Sequence, residues 1–322
     1  MSRPQLEQLS RYDVLWLSPH PLDALLSATG RMLRGQAQGL RTLVVTVFGG
    51  ESDAAAAADV VLQRLGADHL SLGLDAAHRR DRGYVSFAMR AFGSHASDAP
   101  CYDILCRLTD DLGHRTKARD VYAPLGVGGN IDHRLLHEAS ARVFPVGPRQ
   151  NVFFYEERPY AFVPGAVRMR LGQLAIHLPP ASTEVGDHPW ALRHLWGFMR
   201  APVVRGHLKG FREWSRCLLR ATKAWQRARR WQPRRAFGLR LQPMLDPIDA
   251  LSSRTIEGIL AQLGPAAARL TGPPSAQMQA AAAYARRLRQ SGPVERYWLR
   301  LPTRDNDAVT SLPDPERAPS LP

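Results

Sequence analysis

Two histidines and an aspartate lie where the sequence could place them around one metal ion. His20 and Asp23 are three residues apart, just after the apolar run at residues 14–17. His133 follows a second apolar stretch and the glycine-rich residues 126–129. Two neutral imidazoles and one carboxylate suit a catalytic zinc with open coordination positions. The same residues could instead cap turns and helix starts, and their spacing does not exclude that alternative.

The first half of the chain alternates between short apolar runs and stretches with helical periodicity. Strands are predicted at residues 14–18, 41–48, 69–74, 120–124 and 151–155, and helices at 24–38, 53–65, 102–112 and 132–144. This alternation is typical of an α/β fold with a parallel sheet covered on both faces. Since such sheets bind ligands at the carboxyl ends of their strands, His20 and His133 are expected to meet there.

Seven segments, in order along the chain, resemble the LmbE/PIG-L family of zinc-dependent N-deacetylases. They are SPHPLD, TVFGGES, LGLDAAHRR, GGNIDHRLLHEA, FYEERPY, residues 253–263 and ERYW. The resemblance implies a Rossmann-like parallel sheet flanked by helices, with an irregular and helical C-terminal region. It also implies one zinc ion per chain, held by His20, Asp23 and His133, and a substrate contact by Arg79. The implied reaction is hydrolysis of an N-acetyl group on an amino sugar or glycoconjugate.

The sequence departs from the family pattern at two positions that bear on mechanism. Leu22 stands where the family has the aspartate that acts as general base, and Asn130 stands where it has a histidine. Asparagine can still donate a hydrogen bond to an oxyanion, but it is neither an acid nor a base near neutral pH. Asp132 and Glu51 are candidates to replace the missing base. The alternative is a catalytically impaired relative that binds a metal, a sugar or an anion without turnover.

Composition and charge constrain the rest of the molecule. The chain has 322 residues, 44% of them hydrophobic, which is typical of a globular protein, and it contains no apolar run long enough to span a membrane. Three cysteines without CxxC spacing, and no signal peptide, predict a reduced, cytoplasmic protein. We predict a catalytic-type domain at residues 1–160, a cap and C-terminal helical region at 161–301, and a disordered tail at 302–322.

Nearly all of the net charge of +14 is concentrated in residues 193–240, where 14 Lys/Arg accompany one acid, Glu213. Within this segment, residues 209–230 predict one helix with an apolar, Trp-bearing face and a cationic face. The helix could pack on the α/β domain, contact an anionic membrane surface, or steer an anionic substrate. Nucleic acid is not favoured, because no recognised nucleic-acid-binding fold accompanies the charge. Outside this segment, Arg80 and Arg82 are interpreted as solvated charges.

Overall fold

The computed structural model describes residue 9 and residues 11–50, 52–174, 208, 210–230 and 239–302. For residues 224–230, 266 and 270 it describes the backbone alone. Glu51 and residues 303–322 of the predicted tail lie outside the described residues. So do residues 193–207, 209 and 231–238 of the basic segment.

A seven-stranded sheet forms the centre of the molecule, in the order β3-β2-β1-β4-β5-β7-β6. The strands are β1 Val14–Ser18, β2 Thr42–Phe48, β3 Ala67–Leu74, β4 Asp120–Pro124, β5 Asn151–Tyr155, β6 Arg240–Pro247 and β7 Val294–Leu301. The first five strands are parallel, and β7 and β6 extend the sheet with antiparallel pairing. The predicted α/β fold class is therefore confirmed.

Helices cover both faces of this sheet. They are α1 Asp23–Ala37, α2 Asp53–Arg64, α3 Ala77–Arg80, α4 Phe87–Phe92, α5 Asp98–Thr116, α6 Ile131–Val143, α7 Ala166–Gln173, α8 Gly210–Arg230, α9 Ala250–Gln262, α10 Gly264–Thr271 and α11 Pro274–Arg287. Two short 3₁₀ helices lie at Arg82–Val85 and Tyr160–Phe162.

The strand β1 shows why its sequence is apolar throughout rather than alternating. Leu15 and Leu17 belong to one core cluster, whereas Val14 and Trp16 belong to a second. Successive side chains of a strand point to opposite faces, and helices cover both faces here, so every position of β1 is buried. This burial fixes the strand end from which the segment containing His20 leaves the sheet.

The C-terminal region adds strands as well as helices. β6 and β7 come from beyond the division predicted at residue 160, yet they extend the same sheet. Glu156, directly after β5, accepts hydrogen bonds from Arg296 Nε at 2.5 Å and Trp298 Nε1 at 2.8 Å, both on β7. This carboxylate therefore links β7 to the end of β5, in the N-terminal part of the sheet. Pro243 lies inside β6, at the edge of the sheet, where a strand tolerates a residue without an N–H donor.

The helix α8 packs on the α/β layer through its apolar face. Cys217 and Ala221 are fully buried, and Trp214 and Leu218 pack against the same core cluster. Phe211, predicted as part of this face, is 80% exposed. The packing interpretation of the basic segment therefore holds for the described part of this helix. Among the described residues, none of the helices is sufficiently long and apolar to cross a membrane.

Candidate active site

Two neighbouring strands of the sheet bring the predicted metal ligands together. β1 and β4 pair in parallel, and both end at the same edge. The turn after β1 holds His20 and leads into α1, which begins at Asp23. The loop after β4 leads into α6, where Asn130 caps the helix by accepting the N–H of Asp132 at 3.0 Å. His133 therefore lies in the first turn of α6, beside the turn after β1.

Three ligand atoms from these elements converge. Asp23 Oδ2 lies 3.0 Å from His20 Nδ1 and 3.2 Å from His133 Nε2, and the two ring nitrogens are 3.2 Å apart. His20 also donates its backbone N–H to Asp23 Oδ2 at 2.8 Å. We call His20, Asp23 and His133 the trio. Of the described residues, this is the one group that meets the spacing for a shared metal ion.

A carboxylate lies behind each histidine of the trio. Asp132 Oδ2 is 3.2 Å from His20 Nε2, and Glu157 Oε1 is 3.1 Å from His133 Nδ1. Both carboxylates are buried. Histidines that ligate metals commonly bind a carboxylate through the second ring nitrogen, which fixes the ring orientation and raises the ligand's basicity. These carboxylates are the partners expected behind histidines that could hold a metal ion.

The charges of the trio favour a cation at its centre. Burial opposes protonation of His133, but the charge and hydrogen bond of Asp23 outweigh it and raise the pKa of His133 to about 10. Burial likewise opposes protonation of His20, yet hydrogen bonds from Asp132 and Asp23 raise its pKa to about 8. The carboxylates therefore favour a positive charge between the two rings. A divalent cation bound by the same atoms would supply that charge, so the residues fit a metal.

Arg80 connects this site to the helices beyond it, contrary to the expectation that it is a solvated charge. Its guanidinium contacts Asp132 Oδ1 at 3.0 Å and Asp98 Oδ1 at 3.3 Å. Asp98 also accepts the hydroxyl of Tyr84. Asp132 Oδ2 in turn accepts the backbone N–H of Ala77 at 2.9 Å. Asp132 is therefore held from three directions.

The glycines that follow β4 allow close packing beside the trio. Gly129 has φ +78°, and a Cβ there would lie 2.3 Å from the carbonyl oxygen of Ala91. A Cβ at Gly128, also in the left-handed region, would lie 2.6 Å from the ring of Tyr160. Only glycine fits both conformations and both contacts. The loop is also held by Glu157, which accepts the N–H groups of Gly126 at 2.6 Å and Val127 at 3.0 Å.

The other residues predicted for the site differ in exposure. The Leu22 side chain is 3% exposed and packs in the core cluster that contains Trp16, so no carboxylate stands at the family's base position. Arg79 is exposed and lies near Gly50, in the loop that follows β2. Glu51, a candidate replacement for the base, lies outside the described residues.

Glu157 was not predicted as a site residue, although this carboxylate contacts both His133 and the loop at residues 126–129, which we call the glycine loop. The signal was positional, because Glu157 comes two residues after β5, whose carboxyl end lies at the same edge as those of β1 and β4. A carboxylate at such an edge can reach a ligand histidine on a neighbouring strand's loop.

Comparison with known proteins agrees with this architecture. No protein-family model matches the chain. A 2'-N-acetylparomamine deacetylase from Streptomyces fradiae is 30% identical over 172 residues, which cover 48% of this chain and 60% of that relative. The chain thus matches less than two thirds of this relative's length.

Solved structures share the fold over nearly their whole length. The zinc inhibited form of teicoplanin deacetylase Orf2 aligns with a TM-score of 0.57 at 15% identity, covering 91% of this chain and 99% of that one. The A40926 pseudoaglycone deacetylase Dbv21 aligns with a TM-score of 0.54 at 16% identity, covering 92% and 99%. The predicted resemblance to the LmbE/PIG-L-like deacetylases is confirmed. The chain has the fold of these deacetylases.

Proposed function

We propose that this protein is a zinc-dependent N-deacetylase that removes an N-acetyl group from an amino sugar or glycoconjugate. The observation that carries the proposal is the convergence of His20 Nδ1, Asp23 Oδ2 and His133 Nε2. These three atoms would hold the ion. When bound, zinc polarises the amide carbonyl and lowers the pKa of water. The deacetylase activity named for the Streptomyces fradiae relative supports the choice of reaction and substrate class.

Asp132 and Glu157 act as positioning residues in this proposal. Each holds the ring nitrogen of His20 or His133 that faces away from the trio, so each sets the orientation of one ligand. Burial opposes the ionisation of Asp132, but the hydrogen bond to His20 outweighs it and lowers the pKa of this carboxyl. Asp132 is therefore a poor proton acceptor, and orienting His20 is its main role.

Substrate contacts are assigned to Asn130 and Arg79. The Oδ1 atom of Asn130 accepts the N–H of Asp132, which leaves the side-chain amide N–H groups to donate to the carbonyl oxygen of a substrate. Arg79 is exposed at the same sheet edge and can bind polar groups on the sugar.

In the part of the chain that the structure describes, the site offers only a poor base to remove the proton from the attacking water. Leu22 cannot accept a proton, whereas Asp23 Oδ1 has no hydrogen-bond partner among the described residues. Burial raises the pKa of Asp23, but the charge of His133 outweighs it and depresses this pKa below the usual range. Asp23 is thus a weak base. Losing a dedicated general base typically costs about 10²–10⁴ in rate, so we expect slow turnover.

The test is acetate release from 2'-N-acetylparomamine by the zinc-reconstituted full chain. Slow release that His20→Ala abolishes supports the proposal. Leu22→Asp is expected to accelerate it by about 10²-fold or more, because it returns a carboxylate to the base position. Leu22→Asn, which is similar in size and polarity but not basic, is the matched control and should not accelerate it.

Leu22 also favours a second candidate function, in which the protein binds a metal and a sugar without hydrolysis. This alternative predicts zinc binding but no acetate release by the natural sequence, with release only after Leu22→Asp and Asn130→His are combined. Release by the natural sequence would exclude it.

We also propose a reducing, cytoplasmic setting, which is supported by the free state of Cys101, Cys106 and Cys217. A peripheral membrane contact through residues 209–230 has little support. Cys217 and Ala221 are buried, so this part of the apolar face of α8 packs within the chain.

A further inference from the structure

A cavity lies between α4, α6, α7 and α8. Its volume is about 550 Å³, within the range of small-molecule binding sites. α6 contributes to both the trio and this cavity. His133 belongs to the trio, whereas Arg134 and Glu138, one helical turn apart, line the cavity.

The charge of this cavity is strongly positive. Four cationic side chains line it, with Glu138 as the one acid among the described lining residues; the cations are Arg134, Arg170, Arg220 and Lys223. Within the described part of the chain, no ion pair joins Glu138 to any of them. Clustered cations repel one another, so an anion in this cavity would be stabilised.

Arg170 is the deepest of these cations. Its side chain lies across Gly126, and its residue is 4% exposed. Nε donates to the carbonyl oxygen of Leu125 at 2.8 Å, but the buried Nη2 has no hydrogen-bond partner among the described residues. The buried Nε of Arg134 has none either. A buried guanidinium nitrogen without an acceptor is costly, and an anion's oxygen atoms would satisfy it.

We propose that this cavity binds a small molecule bearing phosphate or carboxylate groups. Arginine guanidinium groups match the oxygen geometry of both anions, and Arg220 and Lys223 can reach an anion from the opposite wall. Phe92 and Ala91 supply an apolar wall for the rest of the molecule. The site does not depend on the deacetylase proposal, because none of its lining residues belongs to the trio.

Binding in the cavity can be distinguished from binding to the general positive charge of α8. Four cations among the described side chains of α8 are exposed, but only two of them, Arg220 and Lys223, line the cavity; Arg212 and Arg216 do not. Two double variants therefore separate the possibilities: Arg220→Gln with Lys223→Gln, and Arg212→Gln with Arg216→Gln. Both remove two charges from exposed positions of the same helix, so both are expected to fold.

The measurement is calorimetric titration of the full-length protein with inorganic pyrophosphate, and separately with citrate, at an ionic strength of about 0.15 M, where the Debye length is about 8 Å. We expect one site per chain for at least one of the two anions. The cavity pair should weaken binding about tenfold or more, as expected for losing hydrogen bonds to charged groups. The control pair should change binding less than about twofold, since its charges lie outside the cavity and are screened by solvent. Which anion binds more tightly identifies the group recognised.

Three results would overturn the proposal. Equal weakening by the two pairs would assign binding to the general charge of α8. Failure of both anions to bind the natural sequence would exclude an anion site. Binding only to phosphatidylglycerol vesicles would assign the charge to a membrane surface.

Arg170→Lys provides an internal check, because lysine keeps the positive charge but has no guanidinium group. We expect the melting temperature to fall because the hydrogen bond to the Leu125 carbonyl oxygen is lost, and the pyrophosphate affinity to fall at a temperature where the variant is still folded. Unchanged affinity in a folded Arg170→Lys protein would show that the buried guanidinium does not bind the anion, and would contradict the proposal.

Discussion

The trio and the cationic cavity lie on two sides of α6, and they differ in how their charges are compensated. Around the trio, the second nitrogen of His20 binds Asp132 and that of His133 binds Glu157. Around the cavity, Arg170 and Arg134 each have a buried nitrogen without an acceptor among the described residues. The first arrangement is complete once a cation occupies it. The second requires an anion.

The glycine loop separates the two regions and contacts both. Glu157 holds the N–H groups of Gly126 and Val127 on the side of His133. Arg170 holds the carbonyl oxygen of Leu125 on the side of the cavity. One short loop therefore contacts both the carboxylate behind His133 and a buried guanidinium.

The largest effect is expected from Gly129→Ala, which disturbs this loop. The new Cβ would lie 2.3 Å from the oxygen of Ala91 at φ +78°, so the backbone must move. We expect the free energy of unfolding to fall by about 2–4 kcal/mol, measured by urea denaturation. Gly147→Ala is the control, since nothing lies within 4 Å of its Cβ. Equal losses in the two variants would show that the loop is not constrained as described.

The next largest effect is on zinc affinity, which should depend on the acids beside the trio and not on the acid in the cavity. Asp132→Asn and Glu157→Gln remove the carboxylates behind His20 and His133, and each should weaken zinc binding by about 10- to 100-fold. Glu138→Gln removes the acid on the cavity side and should leave zinc affinity unchanged. Competition with a chromogenic chelator measures all three.

Glu156→Gln is a second control for the same comparison. Glu156 is adjacent to Glu157 but holds Arg296 and Trp298 rather than a histidine. It should lower stability, because a buried arginine loses its charged partner, and should leave zinc affinity intact. A fall in zinc affinity as large as that of Glu157→Gln would mean that Glu157 acts only through folding.

The smallest effect concerns His137, which is buried in α6. Its Nδ1 lies 3.0 Å from the carbonyl oxygen of Pro124, and burial lowers its pKa well below 6.5. The folded state keeps this ring neutral, whereas the unfolded state takes up a proton below pH about 6.5. Its contribution to stability is therefore present above that pH and is lost as the pH falls, by about 1.4 kcal/mol per pH unit.

His137→Asn tests this assignment. The difference in unfolding free energy between the natural sequence and the variant should shrink from pH 7.5 to pH 5.5. A constant difference over that range would show that the ring is already protonated in the folded protein, or that it does not titrate in the unfolded one.

The sequence analysis predicted the five parallel strands and the trio because local patterns specify both. β1 is buried on both faces and is apolar throughout, and His20 and Asp23 follow it within a few residues. The strand β6 was missed because Pro243 and Pro247 disfavour a strand, and only pairing with β7 reveals the edge position that tolerates them.

The surroundings of the site depended on contacts distant in sequence. Arg80 was taken as solvated, but its two partners, Asp98 and Asp132, come from α5 and α6. Likewise, the cavity combines residues from four helices, and nothing in the spacing of Arg134 and Arg170 indicates that they meet. Such contacts are set by packing, which periodicity does not specify.

The metal content of the purified full-length protein decides whether the trio is a metal centre. The natural sequence is compared with a His20→Ala, His133→Ala variant after incubation with zinc and removal of the excess. We predict about one zinc per chain in the natural sequence and none in the variant, with the variant still folded by circular dichroism. No zinc in the natural sequence, or equal zinc in both proteins, would contradict the assignment of the trio as a metal centre.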